Sequence, residues 1–166
     1  MGISIRPLVP ADWETVRLIY LDGIATGEAT FETIAPSWER WDSTHHRFAR
    51  LVAMTEEDGL VKGWAALSPV SARSVYAGVA EVSVYVEKDS RGKGLGKVLL
   101  EQLIVHSEQN QISLQASVFP ENRASVELHK SCGFREVGIR MRIGKREGHW
   151  RDTMLMERRS SVVGID

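Results

Sequence analysis

A basic, glycine-rich run lies in the middle of the chain, from Arg91 to Lys97. It follows a β-branched run over residues 80–86 and precedes an apolar-periodic segment over residues 98–105. This order predicts a strand, a loop, and a helix that begins on the loop. The free amides and positive dipole end of a helix bind anions, and glycines let a ligand approach the backbone closely. The run therefore predicts a site for a phosphate-bearing ligand, a large anionic cofactor.

The residues at fixed positions in this run exclude two other kinds of phosphate-binding loop. A Walker loop needs Gly at the position of Arg91 and Ser or Thr at the position of Val98. The Gly-x-Gly-x-x-Gly pattern of dinucleotide-binding folds fails at Lys97 and Leu99. On the loop alone, a solvated basic turn that caps an ordinary helix remains an alternative.

The elements that must position this loop are predicted from hydrophobic periodicity and turn residues. The pattern mixes a hairpin-rich first half with helical crossovers in the second half, which predicts a mixed sheet with helices on both faces. The predicted strands are 3–8, 48–54, 60–67, 79–87, 112–118, 137–143 and 150–157. The first predicted helix begins at Pro10 and breaks over residues 23–27, and the other helices begin at Ser37, Gly94 and Glu121.

Composition bounds the class of protein. With 166 residues, 43% hydrophobic and 26% charged, the chain fits one globular domain, followed by a flexible tail over residues 159–166. Lys plus Arg (21) nearly balances Asp plus Glu (22), so no nucleic-acid or membrane partner is expected. The single cysteine, Cys132, excludes an internal disulfide and fits a reducing compartment. Without a signal-like apolar run, a soluble, cytoplasmic protein is expected. No metal is expected either, because no ligand-like His or Cys spacing occurs.

A second motif lies one strand and one helix beyond the basic loop. Asn122-Arg123-Ala124-Ser125 is followed by Leu128-His129-Lys130-Ser131-Cys132-Gly133-Phe134. Together with the strand and the loop, this pairing resembles the GCN5-related N-acetyltransferase (GNAT) superfamily. The resemblance implies one acyl-CoA N-acyltransferase domain over residues 1–158, an α/β (α+β mixed) fold with a mostly antiparallel twisted sheet of about six to seven strands and about four helices. It also implies acetyl-CoA as cosubstrate, bound by Val84, Tyr85, Val86, Arg91, Gly92, Lys93, Gly94, Leu95, Gly96, Lys97, Asn122 and Ser125.

Three further segments make the chain similar to the phosphinothricin and methionine sulfone/sulfoximine acetyltransferase branch. They are residues 29–33, residues 72–76 leading to Ala80-Glu81, and residues 148–152. The departures are Ile34-Ala35-Pro36 and Lys145-Arg146-Glu147, which affect the shape of the substrate pocket rather than the reaction. The resemblance implies an amino-acid-like acceptor and a homodimer.

The chemistry of acetyl transfer assigns expected roles to individual residues. The attacking amine must lose a proton, and Glu81 is the expected general base, directly or through water. His129 is the expected general acid for the leaving thiolate, and a backbone N–H of Val84 or Tyr85 is expected to stabilise the oxyanion. Structural alternatives stay open: Glu81 ion-pairs, His129 only packs, and Asn122 only caps its helix.

The acceptor pocket is expected to use two pairs of residues. Arg73 and Tyr76 precede the catalytic strand. The guanidinium of Arg73 and the phenol of Tyr76 are suited to bind the carboxylate of the acceptor. Phe31 and Thr33 are expected to close the pocket from the N-terminal loop, whereas Trp64 is expected to belong to the core. Two other functions stay open: acetylation of protein or peptide N-terminal amines, and non-catalytic sensing of acetyl-CoA.

The two catalytic candidates are predicted to differ in importance. Glu81→Gln is expected to lower the maximal rate more than His129→Phe, because an alkyl thiol with a pKa near 8.5 departs tolerably without an acid. A positioned general base contributes about 10²–10⁴-fold, which sets the scale for the Glu81 variant. The measurement is the maximal rate of thiol release by both variants and the parent enzyme. Equal losses, or a larger loss in His129→Phe, would refute this ranking.

Overall fold

The structure, a computed structural model, describes residues 2–166. Within them, seven strands form one sheet in the order β1-β2-β3-β4-β5-β7-β6. Every pair is antiparallel except β4 with β5, so the predicted mixed, mostly antiparallel sheet is confirmed. The strands are β1 Ile3–Pro7, β2 Leu51–Thr55, β3 Val61–Pro69, β4 Val79–Val86, β5 Ser113–Val118, β6 Arg135–Arg146 and β7 His149–Arg158, and the helices are α1 Trp13–Ala25, α2 Trp38–Thr44, α3 Leu95–Gln109 and α4 Arg123–Ser131.

Several predicted boundaries differ from the structure: β2 begins at Leu51 rather than at residue 48, and α1 begins at Trp13 rather than at Pro10. The first helix ends at Ala25, inside the predicted break over residues 23–27. The closing strands are also longer than predicted, because Glu147 (φ 49) and Gly148 (φ 83) form a tight two-residue turn that lets Arg146 pair with His149. This long β6–β7 hairpin extends over the end of α1.

The sheet separates two apolar clusters, and β4 contributes to both. Its alternate residues Ala80, Val82, Val84 and Val86 pack into the cluster that includes the inner side of α3. Tyr85 packs into the cluster under α1 and α2, which includes the fully buried Trp64. Because side chains alternate along a strand, Glu81 shares the α1 side with Tyr85. The expectation that Trp64 belongs to the core is confirmed.

The two parallel strands separate soon after they meet. Their ladder joins Val79, Ala80 and Glu81 of β4 to residues 113–115 of β5 and goes no further. Beyond it, β4 remains paired with β3 and β5 remains paired with β7, so the edges that face each other have no strand partner. This divergence opens a cleft in the middle of the sheet.

The terminal residues 159–166 contain no helix or strand. Ser160 and Val163 are nevertheless buried, and the Ser160 hydroxyl donates to Glu108 Oε1 at 3.0 Å. The predicted flexibility of residues 159–166 stays a prediction.

Gly23 is predicted to be required by the packing of α1 on β4. A Cβ at Gly23 would lie 2.7 Å from two ring carbons of Tyr85, and that ring stacks against both Tyr20 (4.9 Å) and Trp64 (4.8 Å). Overpacking costs about 1–3 kcal/mol and outweighs the gain in helix propensity of about 1 kcal/mol. Gly23→Ala should therefore lower the free energy of unfolding by about 1 kcal/mol in urea titrations.

Gly78→Ala is the matched control for this substitution. An added Cβ there meets nothing within 4 Å, so its effect should stay within about 0.5 kcal/mol. A stabilised Gly23→Ala variant would show that the Tyr85 ring is free to move.

Candidate active site

A cavity of about 850 Å³ occupies the divergence of β4 and β5 and reaches both faces of the sheet. Fourteen of the residues predicted for the site line it. They are Phe31, Glu81, Val84, Tyr85, Val86, Arg91, Gly92, Gly94, Leu95, Gly96, Lys97, Asn122, Ser125 and His129.

The glycine-rich loop forms one end of this cavity. Gly94 precedes α3 with φ 88, a conformation that favours glycine, and no side chain caps the helix. The first amide of the helix with a backbone acceptor is that of Val98, which donates to Gly94 O at 3.2 Å. The amides of residues 95–97 therefore have no backbone acceptor among residues 2–166, as expected for the first turn of a helix.

The space around this loop fits a diphosphate. A Cβ built on Gly92 or Gly94 meets nothing within 4 Å, so the backbone is open to a ligand. The Arg91 guanidinium Nε donates to Val86 O at 3.2 Å, which ties the loop to the end of β4. Free amides, the positive end of α3 and the charges of Arg91 and Lys97 converge on one end of the cavity. The donor set is that of an anion site.

Glu81 lies at the point where the β4–β5 ladder ends. Its carboxylate is half-buried and lines the cavity from the α1 side of the sheet. Ser117 lies two residues beyond Gln115, the last residue of β5 that pairs with β4, and its Oγ donates to Glu81 Oε1 at 2.9 Å. This bond bridges the diverging strands and fixes one carboxylate oxygen, so the other oxygen is left for a ligand or water.

His129 is buried on α4, at the opposite side of the same cavity. Its Nδ1–H donates to the carbonyl of Ser125 at 2.7 Å, which leaves the lone pair on Nε2. Burial lowers the pKa of His129 below its ordinary value, and the bond to Ser125 only partly opposes this effect. The ring is therefore neutral at pH 7, and the imidazolium that a general acid requires is scarce.

Both polar atoms of the Asn122 side-chain amide make hydrogen bonds within the protein. Oδ1 accepts from the Ser125 N–H at 3.1 Å and so caps α4, which is the structural alternative raised from the sequence. Nδ2 donates to the Glu28 carbonyl at 3.1 Å. The predicted contact with the pantetheine arm stays a prediction.

Four predicted binding residues do not line the cavity: Lys93, Thr33, Arg73 and Tyr76. Arg73 and Tyr76 are exposed and contact each other, with the Arg73 guanidinium carbon 5.5 Å from the centre of the Tyr76 ring. The expected grip of Arg73 and Tyr76 on an acceptor carboxylate stays a prediction. Tyr76 lies in the exposed short helical turn Ser74–Tyr76, and Arg73 directly precedes this turn.

Some cavity residues were missed by sequence analysis. Ser117 could have been found from strand alternation, because it lies two residues after Gln115, the β5 partner of Glu81. Glu32 belongs to the segment 29–33 that carries the family resemblance, and Glu28 directly precedes it. Both carboxylates line the cavity.

Two other features of the described chain bear on function. Among residues 2–166, no group of three or more His, Cys, Asp or Glu side chains is arranged to hold a metal ion. None of the helices in that range has the length and apolar character needed to cross a membrane.

Comparison with known proteins defines the class of this site. The sequence profile of the acetyltransferase (GNAT) family matches residues 13–134. The chain belongs to this family, as its motifs predicted, and is an acyl-CoA-dependent N-acetyltransferase.

Individual relatives cover most of the chain. It is 34% identical to the phosphinothricin N-acetyltransferase of Alcaligenes faecalis, over 93% of this chain and 81% of that protein. It is 33% identical to the L-methionine sulfoximine/L-methionine sulfone acetyltransferase of Pseudomonas aeruginosa, over 95% and 94% of the two chains. A phosphinothricin acetyltransferase of Sinorhizobium meliloti, solved in complex with AcCoA, superposes with a TM-score of 0.85 at 30% identity over 95% of this chain and 88% of its own.

The protonation of His129 is predicted to follow from its burial. Its NMR titration midpoint should lie below 6.5, with the proton of the neutral ring on Nδ1. The unfolded chain then binds more protons than the folded chain at pH values between the two pKa values, so this group's contribution to stability is lost as pH falls. The His129→Gln variant identifies the NMR resonance of His129 by its disappearance. The same variant should lack the loss of stability that His129 causes at low pH. A midpoint at or above 6.5 would contradict the buried, neutral ring.

Proposed function

We propose that the protein transfers the acetyl group of acetyl-CoA to the α-amino group of a small amino acid or analogue, of the phosphinothricin, methionine sulfoximine or methionine sulfone type. Attack is direct, in a ternary complex. One observation carries the proposal: a single cavity joins an anion-binding loop on one side of the sheet to a carboxylate, Glu81, on the other side. The names of the relatives support the choice of acceptor.

In the proposed mechanism, the residues of this chain handle the proton and the developing charge. The thioester supplies the acyl group, and coenzyme A leaves as a thiolate, which takes up the second proton that the nitrogen loses when the amide forms. Glu81, held by Ser117, accepts the proton of the acceptor ammonium directly or through water, which frees the nitrogen lone pair. Backbone amides of β4 that have no partner across the divergence donate to the thioester oxygen as its charge develops. The carbon–nitrogen bond forms as the carbon–sulfur bond breaks.

His129 has a secondary place in this mechanism. Protonation of the thiolate by His129 needs a proton on Nε2, which burial disfavours. A neutral ring instead offers the Nε2 lone pair to a donor in the cavity, such as an amide or thiol proton. The proposal therefore assigns the essential proton transfer to Glu81.

We also infer a homodimer. The strand β6 lies at the edge of the sheet and carries a row of exposed apolar side chains. Long, exposed and apolar edge strands are prone to pair with another chain, and large apolar patches mark interaction surfaces. A second copy of this chain is the proposed occupant. The exposed residues are Val137, Ile139, Met141 and Ile143 on β6 and Trp150 on β7.

Thiol release with an acceptor panel is predicted to separate the candidate functions. The panel contains methionine sulfone, methionine sulfoximine, phosphinothricin and a peptide with a free N-terminal amine. Amine-dependent release of coenzyme A is expected with at least one amino-acid analogue, and Glu81→Gln should reduce it by about 10²-fold or more. The S117A variant should retain most activity, because it removes one hydrogen bond to Glu81 and not the carboxylate.

Other results of this assay have defined meanings. Release with the peptide but with none of the analogues would support an N-terminal amine acetyltransferase. Acetyl-CoA binding by calorimetry without thiol release from any amine would support a non-catalytic sensor.

A further inference from the structure

Residues 26–35, part of the segment that joins α1 to α2, contain no helix or strand and form one wall of the cavity. We call it the acceptor segment, since Phe31, a predicted acceptor contact, lies in it. A wall of irregular backbone keeps its shape only where other elements hold it. Contacts from β7 and from the start of α4 hold this segment.

Arg151 of β7 makes two hydrogen bonds to this segment. Nη1 donates to the Gly27 carbonyl at 3.0 Å, and Nη2 donates to Glu28 Oε2 at 3.0 Å. A second element reaches the same residue, because Asn122 Nδ2 donates to the Glu28 carbonyl. Glu28 is thus held through its side chain by the β6–β7 hairpin and through its backbone by the start of α4.

Arg151 also holds the aromatic part of the wall. Its guanidinium carbon lies 4.0 Å from the centre of the Phe119 ring, and Phe119 meets Phe31 edge to face at 4.9 Å. Phe31 in turn rests on Gly144 of β6, where an added Cβ would lie 2.8 Å from the ring. One guanidinium therefore contacts both the polar and the aromatic supports of the acceptor segment.

A neighbouring arginine strengthens the same junction. Arg146 Nη2 donates to the Ile24 carbonyl at 3.1 Å, and its side chain is only 11% exposed. Ile24 and Gly27 lie at the carbonyl end of α1, where the helix dipole favours cations. Both arginines belong to the β6–β7 hairpin, so this hairpin clamps the end of α1 from which the acceptor segment emerges.

We propose that Arg151 is a positioning residue for the acceptor. It holds Glu28, Gly27 and Phe119 so that the acceptor segment keeps the shape that binds the substrate amine, and Asn122 acts with it from the other side. The proposal rests on the proposed function for its substrate class. It does not place Arg151 in contact with either substrate. Arg151 contacts Gly27, Glu28 and Phe119 and makes no hydrogen bond to the anion-binding loop of residues 91–97, so we expect replacement of Arg151 to change acetyl-CoA binding little.

The test compares Arg151→Gln with Arg151→Lys, and Arg140→Gln serves as the control. Arg140 is an exposed arginine of the same hairpin; its backbone pairs with Thr153, and its side chain makes no hydrogen bond or ion pair within residues 2–166. Initial rates are measured with methionine sulfone varied at saturating acetyl-CoA, and then with acetyl-CoA varied. Arg151→Gln should raise the KM for the acceptor about tenfold or more, because hydrogen bonds to charged groups are lost.

The other measurements separate positioning from a general loss of structure. The KM for acetyl-CoA should change less than about twofold in Arg151→Gln, as both KM values should in Arg140→Gln. Arg151→Lys should give an intermediate acceptor KM, since a lysine keeps the charge but cannot fork between Gly27 and Glu28. An unchanged acceptor KM in Arg151→Gln, or an equal rise of both KM values, would overturn the proposal.

A second readout does not depend on turnover. Amide hydrogen exchange over residues 26–35 should become faster in Arg151→Gln and in Glu28→Gln, and should stay unchanged in Arg140→Gln. Faster exchange in a protein that acetylates no amine would show that the clamp exists and that the proposed function is wrong. Unchanged exchange in both Arg151→Gln and Glu28→Gln would show that Arg151 does not hold the acceptor segment, whatever the substrate is.

Discussion

The separation of β4 from β5 is the constraint on which the rest of the site depends. A parallel pair needs a crossover, here α3, and the loop before that helix must leave β4 at the same end of the sheet at which the cleft opens. Backbone N–H and C=O groups without partners are costly when they are buried dry. An open cleft that exposes such groups must therefore hold water or a ligand, and this fold places an anion-binding loop at its end.

The cleft also explains how two faces of a sheet can serve one reaction. Side chains that alternate along β4 point to opposite faces, and a closed sheet would keep Glu81 apart from the α3 and α4 side. Because the ladder stops at Glu81, the carboxylate and His129 line one continuous cavity from opposite faces. The bond from Ser117 to Glu81 is the last link between the strands.

Local patterns in the sequence predicted much of this arrangement. The glycine-rich run predicted a loop at the start of α3, and Ser37 predicted the start of α2. The cap of α4 by Asn122 was the structural alternative to a cofactor contact, and Trp64 was expected in the core. These features follow from residues close together in the chain, where propensity and capping act. The close approach of Gly23 in α1 to the Tyr85 ring was not predictable in this way, because Tyr85 belongs to a distant strand.

The site details that escaped prediction are also non-local. Arg73 and Tyr76 have the right chemistry for a carboxylate, yet they lie at an exposed short helical turn and do not line the cavity of this chain. The second bond of Asn122 and both bonds of Arg151 to the acceptor segment cross more than ninety residues of sequence. Nothing in the spacing of these residues reveals such contacts, although Arg151 lies within the motif of residues 148–152 that carried the family resemblance.

The central claim is that acetyl-CoA occupies the divergence of β4 and β5. Amide hydrogen exchange, followed residue by residue with and without saturating acetyl-CoA, tests this claim most directly. The account predicts slower exchange over residues 82–86 of β4 and over residues 92–97 of the loop, with no change in β2. Unchanged exchange over both segments, despite bound acetyl-CoA, would contradict it.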